Sequence, residues 1–259
     1  VTGAPVKVER EGHLTIITID RPEARNALDA EAQRLMAAVM DDFSRDDEQW
    51  VAIVTATGDK AFCAGHDLRQ QAETGDLFTP ESGFGGLTAR ANLDKPVIAG
   101  VNGPAFGGGF EMVLAADIVV AADSAFFALP EPLVGLAALA GGIQRLPRLI
   151  GTIRANGILL TGRRVPALEA LQLGLVNEIV PPGEVLAAAR AWADRILACS
   201  PMSIRATKQA IRLSDGKDCL AAMREEWAWP AMVAMLESQD AQEGPLAFTQ
   251  KRKPAWKGC

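Results

Sequence analysis

Three consecutive glycines, Gly107-Gly108-Gly109, stand at the seam between a β-rich stretch, Pro96 to Val101, and a helical one, Phe110 to Ala116. Glycine loses more conformational entropy on folding than any other residue, so a run of three needs a reason. A close approach of the backbone to a ligand, or positive φ, supplies one. The first N–H groups of a helix have no intrahelical acceptor and lie at the positive end of its dipole. A glycine run at that point can present bare donors to charge that develops during a reaction. A second candidate donor loop is Ala61-Phe62-Cys63-Ala64-Gly65-His66-Asp67-Leu68, a glycine turn after the buried strand Val51 to Val54. Two N–H donors from separate loops are what a thioester enolate needs.

Two carboxylates accompany these loops. Glu111 falls in the first turn of the helix that the glycines open, where the macrodipole favours an acid. Glu131 sits in Leu129-Pro130-Glu131-Pro132, and its flanking prolines predict a rigid loop. Taken alone, the first is an ordinary helix-start charge and the second an ordinary loop charge. Placed together near an oxyanion site, they suit general acid–base work, because a shared site splits their apparent pKa values. Cys63 and His66 offer a rival, a nucleophilic dyad of a different enzyme class.

The rest of the chain predicts strands and helices first and helices last. Val6 to Arg10 and Leu14 to Asp20 read as a hairpin. Asp29 caps a helix from about Ala30 to Ser44, with Leu35, Met36, Val39, Met40 and Phe43 on its apolar face. Glu73 to Gly86, rich in glycine, threonine and acids, reads as a mobile surface loop. Ile118 to Ala121 and Ala125 to Leu129 are further strands; Gly141 to Ile150 and Ile153 to Leu160 are helices. After the break Pro181-Pro182-Gly183, helices are predicted over Glu184 to Ala198, Met202 to Leu213, Lys217 to Leu236 and Ser238 to Phe248. This pattern gives an α/β core with a helical C-terminal part.

Composition removes several function classes. A formal net charge of −6 argues against nucleic acid as a partner, since that binding is driven by neutralising phosphates. No apolar run reaches the roughly 18 residues a membrane helix needs. Val1 to Gly12 lacks the apolar stretch of a signal peptide, and Lys257-Gly258-Cys259 matches no lipidation or peroxisomal signal. A cytoplasmic protein with no membrane partner is expected. The four cysteines form no CxxC pair, and with two histidines no metal site is expected. The absence of tyrosine excludes a Tyr general acid. No GxSxG, Walker A or HExxH motif occurs.

At the glycine loop the chain resembles the crotonase (enoyl-CoA hydratase/isomerase) superfamily. The likeness runs in order from Asp20-Arg-Pro-Glu-Ala-Arg-Asn-Ala-Leu28 through Ala61 to Leu68, Lys95 to Gly103, Phe106 to Glu111 and Phe127 to Gly135. It continues through Gly141-Gly-Ile-Gln-Arg-Leu-Pro-Arg148 and Gly174-Leu-Val-Asn177 to Phe248-Thr-Gln-Lys-Arg-Lys253. The resemblance implies a ClpP-like spiral of ββα turns over residues 1–198. It also implies a helical C-terminal trimerisation subdomain over 199–259, in a homotrimer or a hexamer made of two trimers. Glu111 and Glu131 match the two catalytic glutamates, and the backbone N–H groups of His66 and Gly108 match the oxyanion donors. In family hydratases both carboxylates hold one water: Glu111 would orient and deprotonate it, and Glu131 would exchange the proton at the α carbon. Ala24, Ala64, Asp67 and Leu68 match the CoA channel, and Phe248, Trp256 and Lys257 a segment that reaches CoA. The implied substrate is an acyl-CoA thioester, with no cofactor beyond the coenzyme A it carries.

Many family isomerases keep only one of the carboxylates, so the pair implies hydration or dehydration. An isomerase, decarboxylase or thioester hydrolase remains the alternative inside the family, and a non-catalytic CoA- or RNA-binding relative the alternative outside catalysis. Ser82-Gly-Phe-Gly-Gly-Leu87, Asn92 to Pro96, Phe127-Ala-Leu-Pro-Glu131 and Pro254-Ala-Trp-Lys-Gly258 resemble the carnitinyl-CoA dehydratase (crotonobetainyl-CoA hydratase) branch. Ala138 and Leu139 depart from the usual pattern and make the wall Gly135 to Gly141 more apolar, which leaves an aliphatic enoyl-CoA open.

Overall fold

A computed structural model describes residues 3–67, 69, 72, 75 and 78–259. Strands β1 (Val6–Glu11) and β2 (Leu14–Ile19) form the predicted hairpin, with Glu11 opposite Leu14. Strands β3 (Val51–Ala56), β4 (Val97–Val101), β6 (Ile118–Ala122) and β9 (Glu178–Val180) follow β2 in parallel. Their Val, Ile and Ala side chains are buried on both faces of β3 and β4, as parallel strands covered on both sides require. A smaller sheet joins the two-residue β5 (Ala105–Phe106) to β7 (Phe126–Ala128) and β8 (Val165–Pro166). Helix α1 (Ala30–Arg45) starts where predicted: the Asp29 side chain accepts from the Ala32 N–H at 2.8 Å.

The two ends of the main sheet have different tasks. The donor loops and Glu111 follow the C-terminal ends of β3 and β4, and Glu131 follows β7 of the smaller sheet. Residues at the N-terminal ends of the strands receive the C-terminal helices instead. Lys208, on the helix Pro201–Leu213, bonds the Lys95 carbonyl at 2.8 Å and Asp117 at 2.6 Å. Arg212 and Gln209 on the same helix hold Asp94. The buried Asp240 carboxylate accepts from Ser200 Oγ at 2.8 Å and from the Lys257 N–H at 2.7 Å, which ties the tail down.

Two expectations change. The helix foreseen over Lys217 to Leu236 is broken into Cys219–Glu225, a 3-10 turn Glu226–Ala228 and Pro230–Glu237. Pro230 cannot continue an incoming helix, so Trp229 is extended and a new helix starts at the proline. Of the loop foreseen over Glu73 to Gly86, residues 73, 74, 76 and 77 lie outside the described residues. Its end, Phe84–Gly86, is a buried 3-10 turn rather than surface. Gly85 N–H donates to Gln33 Oε1 at 2.8 Å, and a Cβ on Gly86 would stand 2.4 Å from Ala37 Cα, so this turn is clamped against α1. Sequence reading also missed β5, β8, β9 and the short helix Ala167–Gln172. No helix among the described residues is long and apolar enough to cross a membrane.

Candidate active site

Backbone bridges knit the two donor loops together. Phe106 N–H donates to the Cys63 carbonyl at 2.9 Å, and Phe62 N–H to the Pro104 carbonyl at 2.9 Å. Leu28 N–H donates to the Gly65 carbonyl, and Asp67 N–H to the Leu28 carbonyl, which fixes the peptide on either side of His66. A Cβ on Gly65 would stand 3.4 Å from Gly108 N, so the first loop passes directly over the start of the helix Gly108–Ala115. Gly108 is the first residue of that helix, where an N–H has no intrahelical acceptor.

Each glycine of the triplet answers to a different neighbour. Gly107 has φ +52°, which favours glycine, and a Cβ there would lie 2.9 Å from Glu131 Oε1. A Cβ on Gly108 would strike the buried Phe84 ring at 2.7 Å, and one on Gly109 the Cys63 carbonyl at 2.3 Å. The triplet is thus explained by one positive φ and three close approaches.

Glu111 is 3% exposed, and its Oε1 accepts from the Gly142 N–H at 2.9 Å. Burial pushes its carboxyl up to about 7; the Gly142 N–H opposes that shift and the charge of Glu131 adds to it. Glu131 begins a 3-10 turn, Glu131–Val134, closed by Gly135 at φ +74°. Its Oε2 is buried without a protein partner, and burial raises its pKa as well. Two carboxyls whose pKa values are both raised, close enough for the charge of one to act on the other, can share a proton and hold a polar molecule between them. Gly142 is the partner that sequence reading missed; it lies 31 residues from Glu111, and its only signal was the doublet Gly141-Gly142.

His66 brings its ring edge-on to Phe84, with centroids 4.7 Å apart, and Nε2 lies 3.1 Å from Thr79 Oγ1. Burial lowers its pKa, so the imidazole is neutral. The Cys63–His66 dyad fails on electrostatics: Cys63 is fully buried, its Sγ accepts from the Gly65 N–H, and burial pushes the thiol up to about 12.

The candidate CoA residues separate into two groups. Ala24 and Ala64 are half-buried beside the donor loop, with the Ala64 N–H bonded to the Arg25 carbonyl at 3.2 Å. Asp67 pairs with Arg21 at 3.2 Å, so its carboxylate is engaged inside the protein. Leu68 lies outside the described residues. Phe248, Trp256 and Lys257 are not brought to the carboxylates within this chain. Phe248 is 85% exposed on the last helix, and Trp256 Nε1 bonds the Ala198 carbonyl at 2.9 Å. The next residue but one, Gly258, packs on Trp50 at the N-terminal end of β3.

A cavity of about 760 Å³ opens beside Gly141. Phe84, Leu139 and Ala140 line it together with the charged Glu81, Arg145, Arg148 and Asp215, and Leu139 is 79% exposed. The wall residue Leu139 is apolar as read from the sequence, but four charged side chains line the same cavity.

The model of the enoyl-CoA hydratase/isomerase family matches residues 9–259. A carnitinyl-CoA dehydratase of Escherichia coli K12 is 44% identical over 253 residues, covering 96% of this chain and 97% of its own. One from Salmonella arizonae is 42% identical over 257 residues, covering 98% of both chains. Among solved structures, an enoyl-CoA hydratase from Mycobacterium tuberculosis H37Rv superposes with TM-score 0.93 at 41% identity, covering 99% of this chain and all of its own. A carnitinyl-CoA hydratase from Mycobacterium avium superposes with TM-score 0.77 at 42% identity over the whole of both chains.

Proposed function

The chain belongs to the enoyl-CoA hydratase/isomerase family, and from that premise we propose that its two glutamates hydrate a 2,3-enoyl-CoA thioester reversibly. It is a hydro-lyase of the hydratase type, and its substrate is an acyl-CoA thioester. The observation that carries the mechanism is the pairing of the buried Glu111 with the half-buried Glu131 beside Gly107, next to the bare N–H groups of the donor loops.

A water between the carboxylates gives its proton to Glu111 while its oxygen bonds C3 of the enoyl group. The double-bond electrons move onto the thioester oxygen, where the His66 and Gly108 N–H groups stabilise the enolate. The enolate then takes a proton from Glu131 at C2, and the thioester carbonyl re-forms. Backbone N–H groups of Gly142 and Ala140 hold the Glu111 carboxylate in place for the water. Burial raises the pKa of Glu131, which favours the form that donates. The step uses no cofactor besides the coenzyme A of the substrate.

For the acyl group, a short chain with a polar end, of the crotonobetainyl kind, fits better than a long aliphatic one. What supports this is the 44% identity to a carnitinyl-CoA dehydratase, together with one acidic side chain in the cavity, Glu81, since Asp215 is paired with Arg148 at 3.7 Å. Residues 199–259, with Leu220, Met223, Trp227, Leu236 and Phe248 all more than 45% exposed, serve as the assembly subdomain of a trimer or hexamer in the cytoplasm. The segment of Trp256 and Lys257 would then reach CoA bound to another copy. A hydration screen across crotonyl-, medium-chain enoyl- and crotonobetainyl-CoA, followed by loss of the conjugated thioester absorbance, tests the reading. Medium-chain substrates turning over fastest would refute the acyl assignment, and no hydration of any enoyl-CoA would refute the reaction.

A further inference from the structure

Glu111 must be ionised to take a proton, yet burial and Glu131 both oppose its charge. The cation beside it is Arg145, on the helix Gly142–Ile150. Arg145 Nη2 donates to the Thr88 carbonyl at 2.7 Å, and its main-chain N–H to the Gly141 carbonyl at 2.8 Å. Its Nη1 occupies the place of a side chain on Gly141: a Cβ built there would stand 2.0 Å away. A Cβ on the next residue, Gly142, would stand 3.1 Å from Glu111 Oε1. One glycine dipeptide therefore lies between guanidinium and carboxylate, and its second N–H bonds the carboxylate. Arg145 has no ion-pair partner of its own among the described residues, whereas Arg148, one turn on, pairs with Asp215 at 3.7 Å.

We propose that Arg145 is a positioning residue that holds Glu111 in its ionised form at working pH, acting through space rather than by bonding the substrate. The proposal rests on Glu111 being the base of the hydration reaction. The other groups around the pair work differently. Glu131, from the turn after β7, opposes ionisation of Glu111. His66, across the Phe84 ring, is neutral. Glu81, Arg148 and Asp215 line the cavity as exposed side chains, where solvent screens them. Attraction between Arg145 and Glu111 is mutual: it lowers the pKa of the glutamate and raises that of the arginine.

The test is the pH profile of kcat/KM for hydration of crotonyl-CoA. Arg145→Met should move the acid limb upward by at least about half a pH unit, with the rate recovering toward wild type near pH 9. Arg145→Lys should return the limb part of the way. Gly141→Ala, which displaces the guanidinium without removing it, should move the limb in the same direction as Arg145→Met. KM should change less than kcat in all three. A uniform loss across the whole range, with the limb unmoved, would overturn the proposal and leave Arg145 a purely structural residue. Glu111→Gln separates the two layers. If the limb survives in that variant, the reading of Glu111 falls and takes the proposal with it; a limb lost there but unmoved in Arg145→Met sinks the proposal alone.

Discussion

Replacing Glu111 by glutamine should make the protein more stable at pH 8 while abolishing its activity. The reason is the cost of charging a carboxylate that is 3% exposed. An unfolded chain releases the Glu111 proton near 4.5, and the folded chain near 7. Below 4.5 both states hold the proton, and the group has no effect on stability. Between 4.5 and 7 only the folded state holds it, so stability falls as the pH rises. Above 7 the full cost stands, about 3 kcal/mol at 1.36 kcal/mol per pKa unit. Glutamine carries no charge at any pH and still offers a carbonyl to the Gly142 N–H. Burying its amide gives back about 1 kcal/mol, which leaves a net gain of roughly 2 kcal/mol at pH 8. For a chain of this size that is about 4–8 °C in Tm. Thermal unfolding of both proteins at pH 5 and pH 8 measures it, at one protein concentration because assembly makes Tm concentration-dependent. The advantage should shrink toward zero at pH 5. A difference of the same size at both pH values, or a lower Tm for the variant at pH 8, would refute the argument.

Other perturbations separate the parts of the site. Glu131→Gln should lower turnover by about 10²–10⁴-fold while CoA thioesters still bind, measured by steady-state rates and calorimetry. His66→Ala should keep turnover within about tenfold, since only its backbone N–H is used; a loss as deep as that of Glu131→Gln would give the imidazole a chemical role. Gly109→Ala should cost both activity and stability, because its Cβ would stand 2.3 Å from the Cys63 carbonyl and push the donor loops apart. Cys63→Ala should remain active and Cys63 should resist alkylation in the folded state, whereas activity lost with labelling would revive the thiol as nucleophile. Asp240→Ala should destabilise by about 2–4 kcal/mol and free the tail to proteolysis, as it removes the acceptor for Ser200, Lys257 and Gly258.

The parts legible in the sequence were those that short-range physics dictates. β-Branched runs marked β1 to β4 and β6, Asp29 marked the start of α1, and the glycine triplet marked the helix at Glu111. Two-residue strands such as β5 and β8 left no pattern, because their pairing is decided by what lies opposite them. The apolar period across Trp227 to Met235 concealed a break that Pro230 enforces. Within the site, residue types were readable but contacts were not. Gly142 and Arg145 reach Glu111 across more than 30 residues of chain, and Phe84, in a segment read as surface, supplies the ring under which Gly108 fits.

The bridges Cys63–Ala105 and Leu28–His66 also bear on how such a site changes over time. The donors they position are main-chain groups, which every codon encodes except proline. Short of proline, a point substitution therefore cannot delete a donor; it can only crowd it. Gly65, Gly108 and Gly109 are limited in size, while the exposed side chains of the cavity beside Gly141, namely Glu81, Leu139, Gln144 and Arg148, carry no such limit. Such a chain can inherit its electrophilic machinery intact and explore new acyl groups one residue at a time.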